Sequence, residues 1–389
     1  MSPLVIIFLT VFIDLVGFGI IIPLLPFYAE SFGASALAVG LLSTVFSAMQ
    51  FVFAPIWGRW SDRIGRRPVI LLGLLGSAAS YLLLGLAWSL PLVFVARIFG
   101  GIAGANIPTA QAYIADITTQ ENRARGMGMV GAAFGLGFIF GPAIGGVLSH
   151  FGPAVPMWFA SAICFANFCA AWWLLPETRH QAEARPHVGR VDAFRAALAR
   201  PGLPMVLFLF FIVMSAFSGF EATFALFSER RFGYTAATIG YVFAYIGVVL
   251  SIVQGALVGR VVKAIGEQRL VPMAVGAIAL GLALVPAAMT VPMLLVAVGT
   301  IAVGMGFNSP SMTSLVSRLS DASEQGGILG VAQSLAALGR IVGPAWGGWV
   351  FDRFGPTLPF VSSAAIMSVA FLVSLVSLSR IVLPKEAGA

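Results

Sequence analysis

Four charged side chains interrupt otherwise apolar stretches of this sequence, and their chemistry most needs an explanation. Two are carboxylates, Asp14 and Glu221, and two are arginines, Arg97 and Arg340. A charge inside a bilayer is costly, so such residues usually serve the movement of protons, ions or substrate. A carboxylate there can take up and release a proton, and a neighbouring arginine changes its proton affinity.

Asp14 and Arg97 are predicted to act together in proton coupling. Asp14 lies about ten residues into the first apolar run, which places it roughly 15 Å deep at the rise of an α-helix. Arg97 lies near the outer end of the fourth run, and its long side chain can bridge the difference in depth. We expect Asp14 to carry the proton and Arg97 to change the proton affinity of the Asp14 carboxyl group. The alternative is a static structural ion pair.

Glu221 lies in the seventh apolar run, at a different depth from Asp14. It is a second candidate for proton coupling, or it attracts a cationic substrate, with Arg340 as its candidate partner. A purely structural role is the alternative for both residues.

The elements that must position these residues are membrane-spanning helices. Of the 389 residues, 59% are hydrophobic and 10% charged, and the mean hydropathy is +0.98. Apolar runs long enough to cross a bilayer recur without the alternation of a membrane β-barrel. We predict twelve spans, at residues 4–28, 36–57, 69–89, 92–115, 127–149, 154–175, 203–228, 236–258, 270–290, 292–316, 327–350 and 357–382.

Basic residues predict the orientation of these spans. If both termini are cytoplasmic, 17 of the 22 lysines and arginines lie in cytoplasmic segments, three outside and two within spans. This follows the positive-inside bias, so we expect a multi-pass protein of the bacterial inner membrane with cytoplasmic N- and C-termini. The same bias explains the net charge of +7 without nucleic acid as a partner.

The two halves of the sequence repeat one another. Asn106 and Gly146, for example, recur 202 residues later as Asn308 and Gly348. A parallel duplication of six spans is typical of transporters that rock two bundles around a site between them.

This repeat divides the chain into three parts. We predict an N-terminal six-helix bundle (1–175), a cytoplasmic linker (176–202) and a C-terminal six-helix bundle (203–389). Within the linker, residues 192–200 form either an amphipathic helix on the membrane surface or a plain connection.

The segment 58–68, Gly-Arg-Trp-Ser-Asp-Arg-Ile-Gly-Arg-Arg-Pro, concentrates four arginines and one aspartate between two apolar runs. Positive-inside bias explains the arginines but not Asp62. The second half keeps the glycines of this turn but has Lys263 and Glu267 in place of Asp62 and Arg66. We therefore expect Asp62 to make contacts that change with conformation.

Three motifs carry a family resemblance. Segment 58–68 resembles G-x-x-x-D-R-x-G-R-[RK], the signature of the major facilitator superfamily between spans 2 and 3. Residues 95–101 resemble its span-4 arginine motif, and residues 137–146 resemble its span-5 motif, which is characteristic of exporters. Asp14 and Gln50, with their neighbours, are similar to residues of tetracycline:proton antiporters. The resemblance implies an all-α membrane protein, with 12 transmembrane helices in two pseudo-symmetric six-helix bundles.

The resemblance also implies a cytoplasmic latch that closes when the molecule faces outward. In the superfamily the signature aspartate lies near the start of span 11 and near an arginine that follows span 4. Mapped onto this sequence, the latch residues are Gly58, Asp62, Arg63, Gly65, Arg66, Arg67, Asp116, Arg123 and Arg125.

The span-5 motif predicts close helix packing. It comprises Gly137, Gly141, Pro142, Gly145 and Gly146, and glycines four apart line one helix face, where backbones can approach. We expect this face, with its repeat in span 11, to seal the two halves on the outer side.

Polar side chains in the cavity-lining spans are candidates for substrate contact. They are Gln50, Asn106, Gln111, Asn308, Gln333 and Arg340. For the two asparagines, a hydrogen bond between helices is an equally good interpretation.

The sequence departs from the tetracycline pumps it resembles. Those pumps have an acidic residue in span 3, a histidine in span 8 and an aspartate in span 9, where this sequence has Ser80, Leu250 and Ile278. The scheme of drug binding and proton coupling in those pumps therefore cannot be carried over in full to this sequence.

We predict a proton-driven antiporter that expels lipophilic small molecules, including tetracycline-like ones, by alternating access. The expected partners are substrate, protons and the bilayer, and we expect a monomer with no cofactor and no metal. Export of an endogenous metabolite or lipid is the main alternative. A membrane enzyme is remote, because both cysteines share one run and no histidine lies inside a span.

Overall fold

The computed structural model describes residues 2–178, 190–200, 202–321 and 324–380, and those residues form helices and no strands. Twelve stretches of helix are long and apolar enough to cross a membrane, which confirms the predicted fold class. The helices are α1 (Pro3–Ile21), α2 (Leu25–Glu30), α3 (Ala36–Ile64), α4 (Arg66–Gly85), α5 (Leu90–Ala103), α6 (Ile107–Ile117), α7 (Gln120–Leu148), α8 (Val155–Leu174), α9 (Arg190–Ala199), α10 (Leu203–Phe232), α11 (Ala236–Ile252), α12 (Val258–Ile265), α13 (Glu267–Ala287), α14 (Val291–Arg318), α15 (Gln325–Phe354) and α16 (Leu358–Ser379).

The first span is shorter than the sequence predicts. The expected span 4–28 ends as α1 at Ile21, and a turn around Pro23 separates it from the short helix α2. Proline has no backbone N–H and clashes with the preceding turn of a helix, so the chain changes direction there.

Two other spans are interrupted. A 3₁₀ turn, Gly104–Asn106, joins α5 to α6, and Ala105 has a non-helical ψ of 16° within it. A π-helical turn, Val253–Leu257, joins α11 to α12. Such turns inside spans are tolerated where neighbouring protein satisfies the backbone.

The helices of the two halves pack in the same way. In the first half α1 packs on α7 and α8, and in the second half α10 packs on α15 and α16. Contact between the halves is made chiefly by two antiparallel helix pairs, α3 with α15 and α7 with α11.

These pairs meet tightly at only one end of the molecule. A Cβ added to Gly240 on α11 would lie 2.5 Å from the Pro142 carbonyl oxygen on α7, and Gly40 on α3 lies equally tightly against Pro344 on α15. We call this end the closed face; it carries the connections around residues 33, 152 and 233.

At the other end the corresponding helix segments have separated. A Cβ added to Gly58, Gly128, Gly259 or Gly330 would meet nothing within 4 Å. We call this end the linker face, because the segment 58–68 and α9 lie there. The structure is therefore closed at one face and open at the other.

The predicted linker contains a helix that packs on the second half. Ala197 of α9 is buried, and α9 contacts α15 and α10. Arg200 then forms ion pairs with Asp321 and with Glu324, the latter at 2.6 Å. Residues 192–199 are therefore helical, as one of the two interpretations of residues 192–200 predicted, and the helix packs on the C-terminal bundle.

Candidate functional site

A cavity lies between the two halves, among α1, α3, α5, α10 and α15. Its charged lining residues are Arg97, Glu221 and Arg340, and its other walls include Phe18 and Phe46. The cavity volume is about 80 Å³, well below the roughly 300 Å³ of a pocket for a drug-sized ligand. The lining helices must therefore move apart before a molecule of that size can enter.

Arg97 is held by α3 rather than by a carboxylate. Its guanidinium carbon lies 4.0 Å from the centre of the Phe46 ring, a cation–π geometry. Its Nε also points at the Leu42 carbonyl oxygen, 3.5 Å away. The side chain is 6% exposed, so these α3 contacts fix it at the edge of the cavity.

Asp14 and Arg97 share a region of the first bundle but form no ion pair. Asp14 Oδ1 is buried and has no hydrogen-bond partner among the described residues. The carboxylate interacts with Ser77 and Tyr81 of α4 and with Cys164 of α8. Tyr81 lies near both Asp14 and Arg97, so the two residues share a neighbour without touching each other.

Asp14 is also separated from the cavity between the halves, because it is not among the residues that line it. One turn further along α1, Gly17 packs against Cys164 and Tyr81, with its added Cβ only 2.9 Å from the cysteine sulfur. This close approach fixes α1 against α4 and α8 and leaves the carboxylate inside the first bundle.

Glu221 and Arg340 face each other across the same cavity. Glu221 is on α10 and Arg340 on α15, both line the cavity, and each influences the other electrostatically. They form no ion pair within 4.0 Å in the described part of the chain. The predicted partnership is thus a through-space interaction, and both groups remain available to a bound molecule.

Only two of the six candidate cavity residues line it. Arg340 is one, and Gln50 is the other, with its Nε2 donating to the Gly104 carbonyl oxygen at 3.2 Å. The Asn106 side chain lies against Gly73 of α4, and it therefore joins two helices of one bundle.

The other three candidates lie away from this cavity. Asn308 is 3% exposed, and its Oδ1 has no partner among the described residues. Gln111 and Gln333 are exposed. Substrate contact is therefore a weaker interpretation for these residues than for Gln50 and Arg340.

A second, larger cleft of about 550 Å³ lies between α1, α7 and α8. Asn167 is the one polar residue of its lining, and its amide donates to the Thr10 carbonyl oxygen at 2.8 Å. The charged residues predicted to carry function do not line it, so we place the candidate site between the halves.

In the segment 58–68, Arg66 is the central residue. Its Nη1 lies 2.5 Å from Asp62 Oδ1, and its Nε lies 3.1 Å from Asp116 Oδ2 at the end of α6. The predicted contact of Asp62 with the start of α15 is not made in this structure, since nothing approaches Gly326 there. Asp62 is therefore not in contact with α15, which means that the predicted latch is open in this structure.

Glu177 is a contact of this segment that the sequence reasoning missed. Its Oε1 accepts from the Arg66 backbone N–H at 3.0 Å, so it caps the start of α4. Gly65, with φ of +107°, lies directly against that carboxylate. An acid at the end of a span, just before a basic linker, was the signal available in the sequence.

The other four arginines predicted to belong to the latch have different surroundings. Arg67 lies over the Trp172 ring and donates to the Trp172 carbonyl oxygen, which ties α4 to α8. Arg63 is exposed at the end of α3. The side chains of Arg123 and Arg125 lie outside the described part of the structure.

The span-5 glycines pack differently from our expectation. Added Cβ atoms on Gly137, Gly141 and Gly145 would contact α1 of the same half, at Leu15, Gly19 and Ile20. The expected seal between halves is instead formed by the adjacent helix face.

That adjacent face carries Pro142 and Gly146, which meet α11. A Cβ on Gly146 would lie 2.9 Å from the Ala237 carbonyl oxygen. Glycine spacing alone could not distinguish the two faces, because both present small residues.

Comparison with known sequences gives consistent matches over most of the chain. A family model described as Major Facilitator Superfamily matches residues 7–344 and 257–388. Multidrug resistance protein 2 of Bacillus subtilis is 32% identical over 376 residues, covering 94% of this chain and 92% of that protein. Tetracycline resistance protein, class C, of Escherichia coli is 34% identical over 355 residues, covering 88% of each.

Solved structures match the fold over nearly the whole chain. The human organic anion transporter MFSD10 (TETRAN) superposes with a TM-score of 0.72 at 27% identity, covering 95% of this chain and 98% of that one. The nucleoside transporter NupG gives a TM-score of 0.80 at 11% identity, covering 98% of this chain and 100% of that one.

Proposed function

Because this chain belongs to the major facilitator superfamily of membrane transporters, we propose that it expels lipophilic small molecules from the cell. The proposed mechanism is alternating access, with transport driven by inward movement of protons. Relatives named for multidrug and tetracycline resistance, at 32% and 34% identity, support this substrate class.

The observation that carries the proposal is the cavity between the halves. Aromatic and aliphatic walls suit a lipophilic molecule, while the side chains of Arg97, Glu221 and Arg340 offer polar partners. A substrate with a polar or charged group can place that group at these side chains while its apolar part stays out of water. Glu221 and Arg340 influence each other electrostatically but form no ion pair with each other, so each can contact a bound molecule.

We place the linker face in the cytoplasm, with both chain termini, in a bacterial inner membrane. The positive-inside distribution of arginines supports this orientation. The structure then corresponds to an inward-facing state, closed towards the outside by the α3–α15 and α7–α11 pairs. Substrate enters from the cytoplasm or inner leaflet as the cavity widens.

Asp14 is the proposed proton carrier. Its buried Oδ1 lacks a hydrogen-bond partner within the described ranges, and protonation removes the cost of leaving a buried negative charge unpaired. Arg97, which lies near Tyr81 as Asp14 does, acts in this proposal without direct contact with the carboxyl group. In this proposal the proton gradient supplies the energy, and the protein works as a monomer without a cofactor.

A drug-susceptibility panel in an efflux-deficient bacterial host tests the proposal. Wild type should raise the inhibitory concentration of at least one lipophilic compound several-fold over an empty vector. Asp14→Asn should remove this protection at equal protein abundance in the membrane. Gln111→Ala, which changes an exposed side chain outside the cavity, is the matched control and should protect like wild type.

Two results would contradict the proposal. Protection that survives Asp14→Asn unchanged would remove that residue from the mechanism. No protection against any compound by wild type would favour the alternative, export of an endogenous metabolite or lipid on the same fold.

A further inference from the structure

The start of α3 is capped by a residue from the other half of the protein. The carboxylate of Asp352, at the end of α15, accepts from the Ala36 N–H at 3.0 Å and from the Leu37 N–H at 2.8 Å. Ser35 accepts from the Ala38 N–H at 3.3 Å. The first three N–H groups of α3 are therefore satisfied, two of them across the boundary between the halves.

Asp352 lies in a sequence pattern that occurs at the ends of two helices. Residues 348–355 read Gly-Trp-Val-Phe-Asp-Arg-Phe-Gly, and residues 58–65 read Gly-Arg-Trp-Ser-Asp-Arg-Ile-Gly. Both fit G-x-x-x-D-R-x-G. Each ends a long helix, α15 or α3, at a glycine with positive φ, +95° at Gly355 and +107° at Gly65.

The two patterns lie at opposite faces of one antiparallel helix pair. Because α3 and α15 run in opposite directions, the end of each helix lies at the same face as the start of the other. Asp352 therefore lies at the same face as the start of α3, which it caps, and Asp62 lies at the same face as the start of α15, which it does not contact in this structure. The Asp352 arrangement becomes the Asp62 arrangement when the roles of α3 and α15 are exchanged.

In this structure only one of the two arrangements is formed. Gly348 packs directly on Ala36 and Leu37, and the absent side chain of the glycine lets α15 come close enough for Asp352 to reach the cap. At the linker face, a Cβ on Gly58 would meet nothing within 4 Å, and Asp62 is paired with Arg66 of its own segment. The start of α15 has no side-chain cap from its own N-cap residue.

The cap is present in one of the two helix pairs that join the halves. In the other pair, α7 with α11, Gly146 corresponds to Gly348 and His150 corresponds to Asp352, each 202 residues earlier. His150 has no carboxylate, and α11 is capped by its own Thr235. The carboxylate is thus specific to the α3–α15 pair.

We propose that Asp352 is a second latch residue, which holds the closed face shut while Asp62 is disengaged. When the molecule switches, the Asp352 cap on α3 breaks, and Asp62 forms the equivalent cap on α15 at the linker face. The balance between the two caps sets the balance between the two states. This inference rests on the alternating access proposed above, but not on any particular substrate.

Distance measurements between spin labels test it without transport. Trp88 and Met289 lie in exposed loops of the closed face, one in each half, and are 79% and 76% exposed. Labels at Trp88→Cys and Met289→Cys, in a Cys164→Ser and Cys169→Ser background, report opening of this face. The protein is reconstituted in lipid nanodiscs with no substrate and no pH gradient.

Asp352→Asn removes the negative charge and one of the two acceptor oxygens, and turns an amide NH2 towards a backbone N–H of α3. It should therefore raise the ratio of the long-distance to the short-distance population on the order of tenfold. Asp62→Asn should change this ratio in the opposite direction, and the double variant should return towards wild type. Arg353→Gln changes the charge of the neighbouring residue without touching the cap, and His150→Ala changes the equivalent position. Both should leave the distances as in wild type.

The inference is wrong if folded, monodisperse Asp352→Asn gives the wild-type distance distribution. It is also wrong if Arg353→Gln opens the face as much as Asp352→Asn does. Because no substrate is present, failure of the drug-efflux proposal leaves this result unaffected.

Discussion

Arg66 and Glu267 occupy equivalent positions at the starts of α4 and α13, carry opposite charges and make the same kind of bond. Arg66 pairs with Asp116 at 3.1 Å, and Glu267 pairs with Arg318 at 3.0 Å. Each bond joins the start of one helix to the end of the next span. The repeat has therefore kept the interaction while exchanging the charges.

The two ion pairs should differ in their contribution to stability. The Glu267 side chain is 6% exposed, whereas Asp116 is 35% exposed. Arg318→Ala removes the cationic partner of a buried carboxylate that also accepts from the Ser314 hydroxyl at 2.8 Å, and we expect it to cost ~1–3 kcal/mol. Asp116→Ala should cost about 1 kcal/mol or less.

Thermal unfolding in detergent, followed by intrinsic fluorescence, compares these variants. The double variant Glu267→Arg with Arg318→Glu should regain most of the lost stability, as the natural exchange in the first half suggests. If Arg318→Ala and Asp116→Ala lowered the stability equally, the burial of Glu267 would not be the cause of the expected difference.

Arg97 should be needed for proton coupling but not for binding. Arg97→Ala removes a buried positive charge from the region of the first bundle that also holds Asp14, so transport driven by a pH gradient in proteoliposomes should fall to background. Substrate binding to the purified variant should weaken by less than tenfold, because Glu221 and Arg340 remain. Arg97→Lys retains the charge and should keep part of the coupled transport, and full activity of Arg97→Ala would exclude the role.

Glu30 makes the closed face sensitive to pH. Burial, together with the neighbouring carboxylate of Glu229, raises the pKa of Glu30 to about 7 against the opposing effect of Arg230. Arg230 lies 3.8 Å from Glu30 and stacks over Phe351 of α15. Glu30 belongs to the first half, and its two charged neighbours, Glu229 and Arg230, belong to the second.

Closure of this face should therefore increase as pH falls. Opening exposes Glu30 to water and separates it from Glu229, which together return the pKa of Glu30 towards its ordinary value of 4.5. Between about 4.5 and 7 the closed state binds a proton that the open state does not. The ratio of closed to open molecules should rise by at most about tenfold per pH unit in that window.

The same spin-label pair measures this effect between pH 8 and pH 5. Glu30→Gln cannot titrate and should give a closed fraction that no longer depends on pH in this range. Asp321→Asn, which alters an acid at the linker face, should retain the wild-type pH dependence. A wild-type closed fraction that fell on acidification would contradict the sign of the effect.

Gly240 should be intolerant of any side chain. An added Cβ would lie 2.5 Å from the Pro142 carbonyl oxygen and 2.8 Å from the Gly146 Cα, so Gly240→Ala should force α7 and α11 apart and open the closed face. Transport should fall severalfold or more. Gly259→Ala, at a helical glycine with nothing within 4 Å, is the control and should behave as wild type; equal effects would show that the seam is not the cause.

The sequence by itself determined the twelve spans, the duplication and the charged residues that need an explanation. Hydropathy is a local property, because any twenty-residue helix in a bilayer needs an apolar surface. The repeat and the signature around Asp62 are likewise readable without coordinates. The end of the first span was placed too late, because its apolar run continues past the turn at Pro23 where α1 has already ended.

The tertiary structure alone decided which of these residues touch. Asp14 and Arg97 form no ion pair, the Asn106 side chain lies against Gly73 rather than in the cavity, and the glycines of α7 pack on α1. Each outcome depends on how far a helix is rotated about its axis. A rotation is set by all neighbouring helices together, so spacing within one helix cannot predict it.

The cap from Asp352 to Ala36 shows this division most clearly. The carboxylate and the helix start are both visible in the sequence, but 315 and 316 residues separate the bonded groups. Their meeting depends on the antiparallel packing of α3 and α15 and on which face of the molecule is closed. A conformational state is a property of the assembled bundles, and a single sequence encodes more than one.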